Sequence, residues 1–385
     1  MDAQPTNLIT RMFDDVEKLD DPRAANARHY LTDILIIAML GVMCGLDDYP
    51  GIVEYGRDEE PWLKTLLRLP HGIPSVSTFR RVFAALKPAA LLGVMQRFAW
   101  ELGGLLSGKQ VAIDGKTLRR SFEHGWDKSG LHLVTAWCVE ENLVLAQQAV
   151  DQKSNEITAV PQLLDMLDLR GAVVSGDAMN TQKDIAARVI KGGGNYLLAV
   201  KANHPTLKDS VSRHMDELIL EKFQGVPQVY HESTEGGHGR IDTRQVWATD
   251  SIDWLAGRCD WKGLRSVVAV QSTRKVLGTG KTSTERRYFI SSLPCVSGEQ
   301  FARLVRNHWS IENGQHWTLD MAFNEDQSRV RKDHGHQNLA VLRRIALALL
   351  RRDKSVKLGA KNKRLKAGRN REYLLRVLLS PVTAK

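Results

Sequence analysis

The sequence predicts a mixed α/β protein: a mixed sheet flanked by helices, carrying a β-rich insertion and preceded by a helical N-terminal domain. Three observations predict this class. The first hundred or so residues carry helical periodicity, with no strand-like alternation. From Gln110 three short β-rich runs, QVAIDGKTL, LHLVTAWCV and NLVLAQQAV, are separated by polar turns and read as an antiparallel meander. Helix and strand then alternate, which places helices on a partly parallel sheet.

In chain order, LTDILIIAMLGVMCGL is too densely apolar for a surface helix and reads as a buried one. After Pro74, Ser77 or Thr78 can cap a helix bearing Phe79, Val82, Phe83 and Leu86 on one face, with Arg80 and Arg81 towards the other. That helix fits either the second helix of a helix-turn-helix touching DNA or an ordinary amphipathic helix with solvated arginines. Beyond the meander come a helix in ITAVPQLLDMLDL, a strand in GAVVSGD, a helix in TQKDIAARVIKG and a strand in NYLLAVKA. The stretch from about 205 to 294 breaks the alternation. It opens with a helix in TLKDSVSRHMDELIL and continues with strand-like RIDTRQVWA, RSVVAVQST and RRYFISSL. FARLVRNHWSIENGQHWTLDMAF and NLAVLRRIALALLRRD return to helical spacing. The expected division is a helical domain over 1–100, an α/β domain over 105–350 containing the insertion, and a basic segment over 351–385.

Composition narrows the partner. A formal net charge of +10 and a pI near 9.4 favour a polyanion, nucleic acid first and an acidic membrane surface second. The longest apolar run, Ile34 to Val42, is far shorter than the roughly 20 residues that cross a bilayer. Cys44, Cys138, Cys259 and Cys295 form no CxxC pair, which excludes a zinc-ribbon pattern and fits a reducing, cytoplasmic setting.

Three acids could carry chemistry. Asp114 follows one apolar strand run and Asp177 ends another, so the sheet can bring them to one edge. Glu312 lies in RNHWSIENGQHW, where an α-helix would align it with His316, Leu319 and Phe323 among Trp309, Ile311 and Trp317. Converging carboxylates repel unless a cation sits between them. Two hard divalent ions bridged by such oxygens clamp the attacking and leaving oxygens of a phosphodiester, and magnesium suits the task because it keeps waters and accepts phosphate ligands. Taken singly, an Asp before Gly at a strand end is more often a turn residue.

With IDGKTLRRS, SGDAMNTQ, NYLLAVKANHP, HGRIDTR, RRYFISSLP, RNHWSIENGQHWTLDMAFNEDQSRVR and the basic KNKRLKAGRNREYLLRVLL in this order, the chain resembles the H-repeat-associated insertion-sequence transposases. These belong to the DDE superfamily, whose catalytic core is RNase H-like. The resemblance implies Asp114, Asp177 and Glu312 as the catalytic, metal-holding acids, with the insertion between the last two. It implies two Mg2+ ions per site, Mn2+ able to substitute. It also implies double-stranded DNA as partner, both element ends and target, held by a homodimer in a synaptic complex in the bacterial cytoplasm beside the nucleoid. The implied reaction is cleavage at the element's ends and joining of the 3′ end to target DNA. A catalytically silent DNA-binding descendant and a metal-dependent nuclease are the alternatives. Where related enzymes carry a Tyr-Arg-Glu-Lys signature around the third acid, this chain has Val305, His308 and Leu319 at the Tyr, Arg and Lys positions. Arg306 or His308 is then the expected phosphate contact, with His316 in place of the lysine.

Further cations could hold the DNA backbone: Lys116, Arg119 and Arg120 after the first acid, Arg240 and Arg244 on one face of an inserted strand, and Lys363 and Arg364 in the tail. A solvated charged face is the alternative for each group. Glu325 and Asp326 are alternative third acids, although beside Arg329 and Arg331 they fit an ion-pair network better. Trp247, Trp254 and Trp261 could stack a base but read better as core, and His334 and His336 receive no assignment.

Overall fold

The computed structural model describes residues 8–121, 130–150, 156–257 and 260–379. Cys259 lies outside them, as do residues 1–7 and 380–385 of the expected terminal segments. Six helices come first: α1 (Leu8–Glu17), α2 (Leu31–Met43), α3 (Tyr49–Asp58), α4 (Glu60–Leu63), α5 (Val76–Ala85) and α6 (Pro88–Gly103). In α2 every residue but Thr32 is buried, as its unbroken apolar run requires. Ser75, two residues before the first expected cap, begins α5 by accepting a hydrogen bond from the Thr78 N–H.

The meander forms as β1 (Gln110–Thr117), β2 (His132–Cys138) and β3 (Leu143–Val150), paired antiparallel. It continues through α7 (Glu156–Asp165), β4 (Val173–Gly176), α8 (Lys183–Lys191) and β5 (Asn195–Val200), with β1, β4 and β5 parallel. The insertion consists of α9 (Pro205–Leu220), β6 (Val229–Gly237), β7 (Arg240–Thr249), β8 (Ser266–Val276) and β9 (Thr282–Ser291). Its strands do not form a separate sheet. β9 pairs with β5, giving one nine-stranded sheet in the order β3-β2-β1-β4-β5-β9-β8-β7-β6. The first five positions are the RNase H-like core.

The chain then runs through α10 (Gly298–His308), a π-helical turn (Ile311–His316), α11 (Trp317–Phe323), α12 (Gly335–Arg352), α13 (Ala360–Arg369) and α14 (Arg371–Leu379). Alternation along the strands separates two apolar faces. Val174, Tyr196 and Leu198 join the large core shared with the N-terminal helices and α12, while Val173, Leu197, Val268 and Phe289 pack against Phe301 and Leu304 of α10. α12 is buried nearly throughout and packs on α2, α5 and α6, so the late helix fills the interior of the helical layer. Among the described residues no single helix is long and apolar enough to cross a membrane.

The basic tail departs from expectation. Lys363 and Arg364 are buried rather than solvated. The Lys363 ammonium donates to the carbonyls of Leu350, at 2.8 Å, and Asp353. Arg364 donates to the carbonyls of Val42, at 2.9 Å, and Ala322, and to Asp47 Oδ1 at 2.8 Å. Both cations fasten the tail to the helical core, and the expected phosphate contact through them is withdrawn.

Candidate active site

The parallel register of β1 and β4 brings the first two acids together. Ile113 pairs with Gly176, so the residues that follow, Asp114 and Asp177, stand side by side where β4 ends. Gln110 fixes the base of this arrangement, its amide donating to Ser175 Oγ and to the Leu304 carbonyl, each at 2.8 Å. Asp177 Oδ1 accepts from the Asn180 backbone N–H at 3.1 Å and its side-chain amide at 2.9 Å, a local turn that holds the carboxylate.

The third acid arrives by a different local structure from the one expected. Between α10 and α11 the backbone takes one wide π turn, Ile311–His316, with Ile311 and Gln315 fully buried and Glu312 exposed. The extra residue per turn breaks the α-helical face drawn through Glu312, His316, Leu319 and Phe323, and such turns are frequent at functional sites. Trp309 and Trp317 are 38% and 61% exposed, so Glu312 does not sit on a buried apolar surface. The π turn packs against β1 and carries Glu312 towards Asp114.

The charges of the three acids act on one another. Burial, then the charges of Asp177 and Glu312, push the Asp114 carboxyl up to about 7. Burial and then Asp177 also raise Glu312, opposed by Arg287 and Lys201. Mutually destabilised carboxylates of this kind gain from a hard cation that accepts oxygen ligands. Among the described residues no three His, Cys, Asp or Glu side chains are grouped tightly enough to enclose an ion on their own. An ion that keeps waters and takes phosphate oxygens needs only one or two carboxylates at a time, so the donor set fits that coordination.

Lys201 and Arg287 were not singled out by sequence reasoning. Lys201 directly follows β5, at the carboxyl end of a parallel strand beside Asp177, which is where ligand-binding groups collect in such sheets. Arg287, on β9, lies over the Trp309 ring at 4.9 Å. Both would have been legible from the strand order once β9 was known to pair with β5.

Several expected contacts are corrected. His308 Nδ1 meets Ser175 Oγ at 3.1 Å, and burial pushes its ring down to about 4. His316 Nδ1 stands 3.5 Å from Asp114 Oδ2, and burial, then Lys116 and Arg344, push it down to about 3. Both rings are neutral near pH 7, so neither offers the cation expected of a phosphate contact. Lys116 is buried in an ion cluster, bonded to Asp320 and 3.5 Å from Asp326. Glu325 is fully buried against Arg344 at 2.8 Å; burial alone would raise its carboxyl, but Arg344, Lys116 and Arg343 hold it low. Asp326 pairs with Lys116 and with Arg119, at 3.3 Å, so neither alternative third acid is available. Arg80, Arg81 and Arg120 are exposed, and Arg119 is exposed apart from that pair.

Arg240, Arg244 and Arg306 meet in a groove of about 1120 Å³ between the inserted strands and α10, ending at Trp309 and Asn313 beside Glu312. Arg274, Arg287 and Arg303 line it too, against the carboxylates of Glu235, Asp242, Glu285 and Glu299. Arg240, Asp242, Arg244 and Val246 face this groove. Alternation therefore turns Trp247 to the opposite face, where it meets Tyr230. Trp261 is buried beside His204, and Trp254 packs on His214. The tryptophan that lines the groove is Trp309.

An RNase H-like sheet with one acid within its first strand, a second just after the neighbouring parallel strand and a third on a later helical turn is the pattern of the DDE class of polynucleotidyl transferases. Comparison with known proteins agrees. The profile described as Transposase DDE domain matches residues 107–349, and the one described as DDE_Tnp_1-associated matches residues 13–99. The chain belongs to the DDE-domain transposase family, a class of DNA-cleaving and DNA-joining enzymes. It is 33% identical to the "H repeat-associated putative transposase YhhI" of Escherichia coli K12, over 96% of this chain and 98% of that protein. It is 43% identical to an uncharacterized protein of the dhlA 3′ region of Xanthobacter autotrophicus, over 72% of this chain and 92% of that protein. A piggyBac transposase solved in a synaptic complex with hairpin DNA superposes with a TM-score of 0.44 at 10% identity, covering 98% of this chain and 83% of that one; the likeness is too distant to carry an argument.

Proposed function

We propose that this chain is the transposase of an insertion sequence, cutting DNA beside the element's ends and joining the freed 3′ end to target DNA. The observation that carries this reading is the pairing of Asp114 beside Asp177 by the strand register, with the charges of Asp177 and Glu312 raising Asp114 and that of Asp177 raising Glu312, opposed by Arg287 and Lys201. Two divalent ions, Mg2+ or Mn2+, held by these carboxylates would activate the attacking oxygen and stabilise the leaving one.

The chain's own groups supply the rest. Asp177 is oriented by Asn180, and Asp114 by its place in β1. Lys201 and Arg287 offer charge to a phosphate that approaches Glu312. The arginine groove leading away from Glu312 follows a DNA backbone, with part of its charge already balanced by Glu235, Asp242 and Glu285. Double-stranded DNA is the partner, and two copies hold the two ends together in the cytoplasm. The test is cleavage and joining of labelled DNA bearing the element's ends in Mg2+ or Mn2+. Joined product that disappears in Asp177→Ala and Glu312→Ala supports the reading. Metal-dependent cutting without joining points to a nuclease, and binding without cutting to a silent descendant.

A further inference from the structure

A second basic groove, about 630 Å³, lies between the start of α3, α5 and the segment following α11. Arg80 lines it from one side, and Arg329, Arg331 and Lys332 from the other. Its two carboxylates are already committed. Asp47 accepts from Arg364 at 2.8 Å and from the Asn324 amide at 2.7 Å, and Asp48 caps α3 by accepting from the Gly51 N–H at 2.9 Å. Arg80, Arg329 and Lys332 are exposed and have no carboxylate partner among the described residues. This is the reverse of the first groove, where most arginines are paired.

The site is also built rigidly. The buried Asn338 amide donates to the carbonyls of Phe83 and Leu86 at 2.8 and 2.7 Å, and His334 N–H to Ala84 at 3.3 Å, so the end of α5 and the loop before α12 are tied together. A Cβ on Gly335 would stand 3.0 Å from Val330 and 3.4 Å from the Tyr49 hydroxyl, which leaves the loop no slack there. Arg331 donates to the Arg120 carbonyl at 3.0 Å, linking the groove to the chain just beyond β1. Arg120 lies three residues beyond the end of β1, the strand that carries Asp114, whereas the first groove ends at Trp309 and Asn313, the near neighbours of Glu312.

We infer that this second groove binds the phosphate backbone of duplex DNA. Four cations, Arg80, Arg329, Arg331 and Lys332, against the one carboxylate without a cationic partner, Asp48, favour a polyanion, and an open trough lined from two separate segments suits an extended one. The inference rests on the DNA-cleaving reading above. Its test is duplex binding by the full chain, followed against salt, with the variant Arg80→Glu/Arg329→Glu/Lys332→Glu. Three lost phosphate contacts should flatten the slope of log affinity against log salt by about 2.7 and weaken binding at least about tenfold at moderate salt. Arg80→Lys/Arg329→Lys should keep both. If the triple variant does not fold, Arg80→Ala and Lys332→Ala should each flatten the slope by about 0.9. A wild-type protein that binds duplex while the variants match its slope and affinity overturns this groove alone. A wild-type protein that binds no duplex overturns the DNA-cleaving reading with it.

Discussion

Gly115, the residue after the first acid, tests how β1 is held. A Cβ built there would stand 2.5 Å from Glu156 Oε1, 2.5 Å from His132 Nε2 and 2.8 Å from Glu156 Cδ. Neither neighbour can simply swing aside. Both are buried, His132 Nε2 and Glu156 Oε1 are bonded at 2.6 Å, and His132 Nδ1 meets Thr117 Oγ1 at 2.7 Å. Gly115→Ala must push β1 away or separate the His132–Glu156 pair. Overpacking costs about 1–3 kcal/mol and a broken buried hydrogen bond about 1–3, so a loss of about 1–3 kcal/mol is expected in urea unfolding by either route. Joined DNA product should fall as well, because the displaced strand carries Asp114. In Gly115→Ala/Glu156→Ala the obstructing carboxylate is gone, so the two losses should combine to less than their sum by about 0.5–3 kcal/mol. Wild-type stability in Gly115→Ala, or strict additivity in the pair, would refute the steric argument.

Further outcomes follow from the same geometry. Arg364→Ala should cost about 3–5 kcal/mol in denaturant unfolding by stranding Asp47 and two buried carbonyls, and should weaken DNA binding by the folded fraction, because the freed Asp47 charge lines the second groove. In chelator, Asp114 holds its proton up to about 7 when folded but releases it near 3.8 when unfolded. The folded state binds the extra proton between these values, so stability should fall as pH rises from about 4 to about 7, by at most about 4 kcal/mol, and then level off. Asp114→Asn should remove that part of the slope in pH-dependent urea titrations. Lys201→Ala should reduce the salt slope of DNA binding by about 0.9 without lowering the thermal midpoint.

Much of the fold was legible because its signals are local. The meander from Gln110, the strand-helix alternation through NYLLAV and the buried run of α2 follow from apolar spacing alone. β6 was missed because VYHESTEGG is a polar edge strand, paired only to β7, with no apolar alternation to betray it. That the insertion would join the central sheet through β5 and β9 depends on long-range pairing. Within the site, Asp114 and Asp177 were readable as acids after apolar strand runs, although β1 continues past Asp114 to Thr117 while β4 ends just before Asp177. The π turn at Glu312 was not, since one extra residue per turn leaves no mark on composition. Tail cations misled for a related reason: charge counts cannot distinguish Lys363 and Arg364 binding interior carbonyls from lysines facing DNA. Lys201 and Trp309 needed tertiary neighbours before they acquired a role.

The most direct test of the central claim is a change of metal preference at a proposed ligand. Replacing a carboxylate by a thiol weakens binding of hard Mg2+ more than of softer ions. Asp177→Cys is therefore expected to yield no joined DNA in Mg2+ and to recover product in Mn2+, with wild type active in both. An Asp177→Cys enzyme that works equally well in Mg2+, or one whose activity follows no metal at all, would contradict the assignment of Asp177 as a metal-holding acid and with it the mechanism built on the three carboxylates.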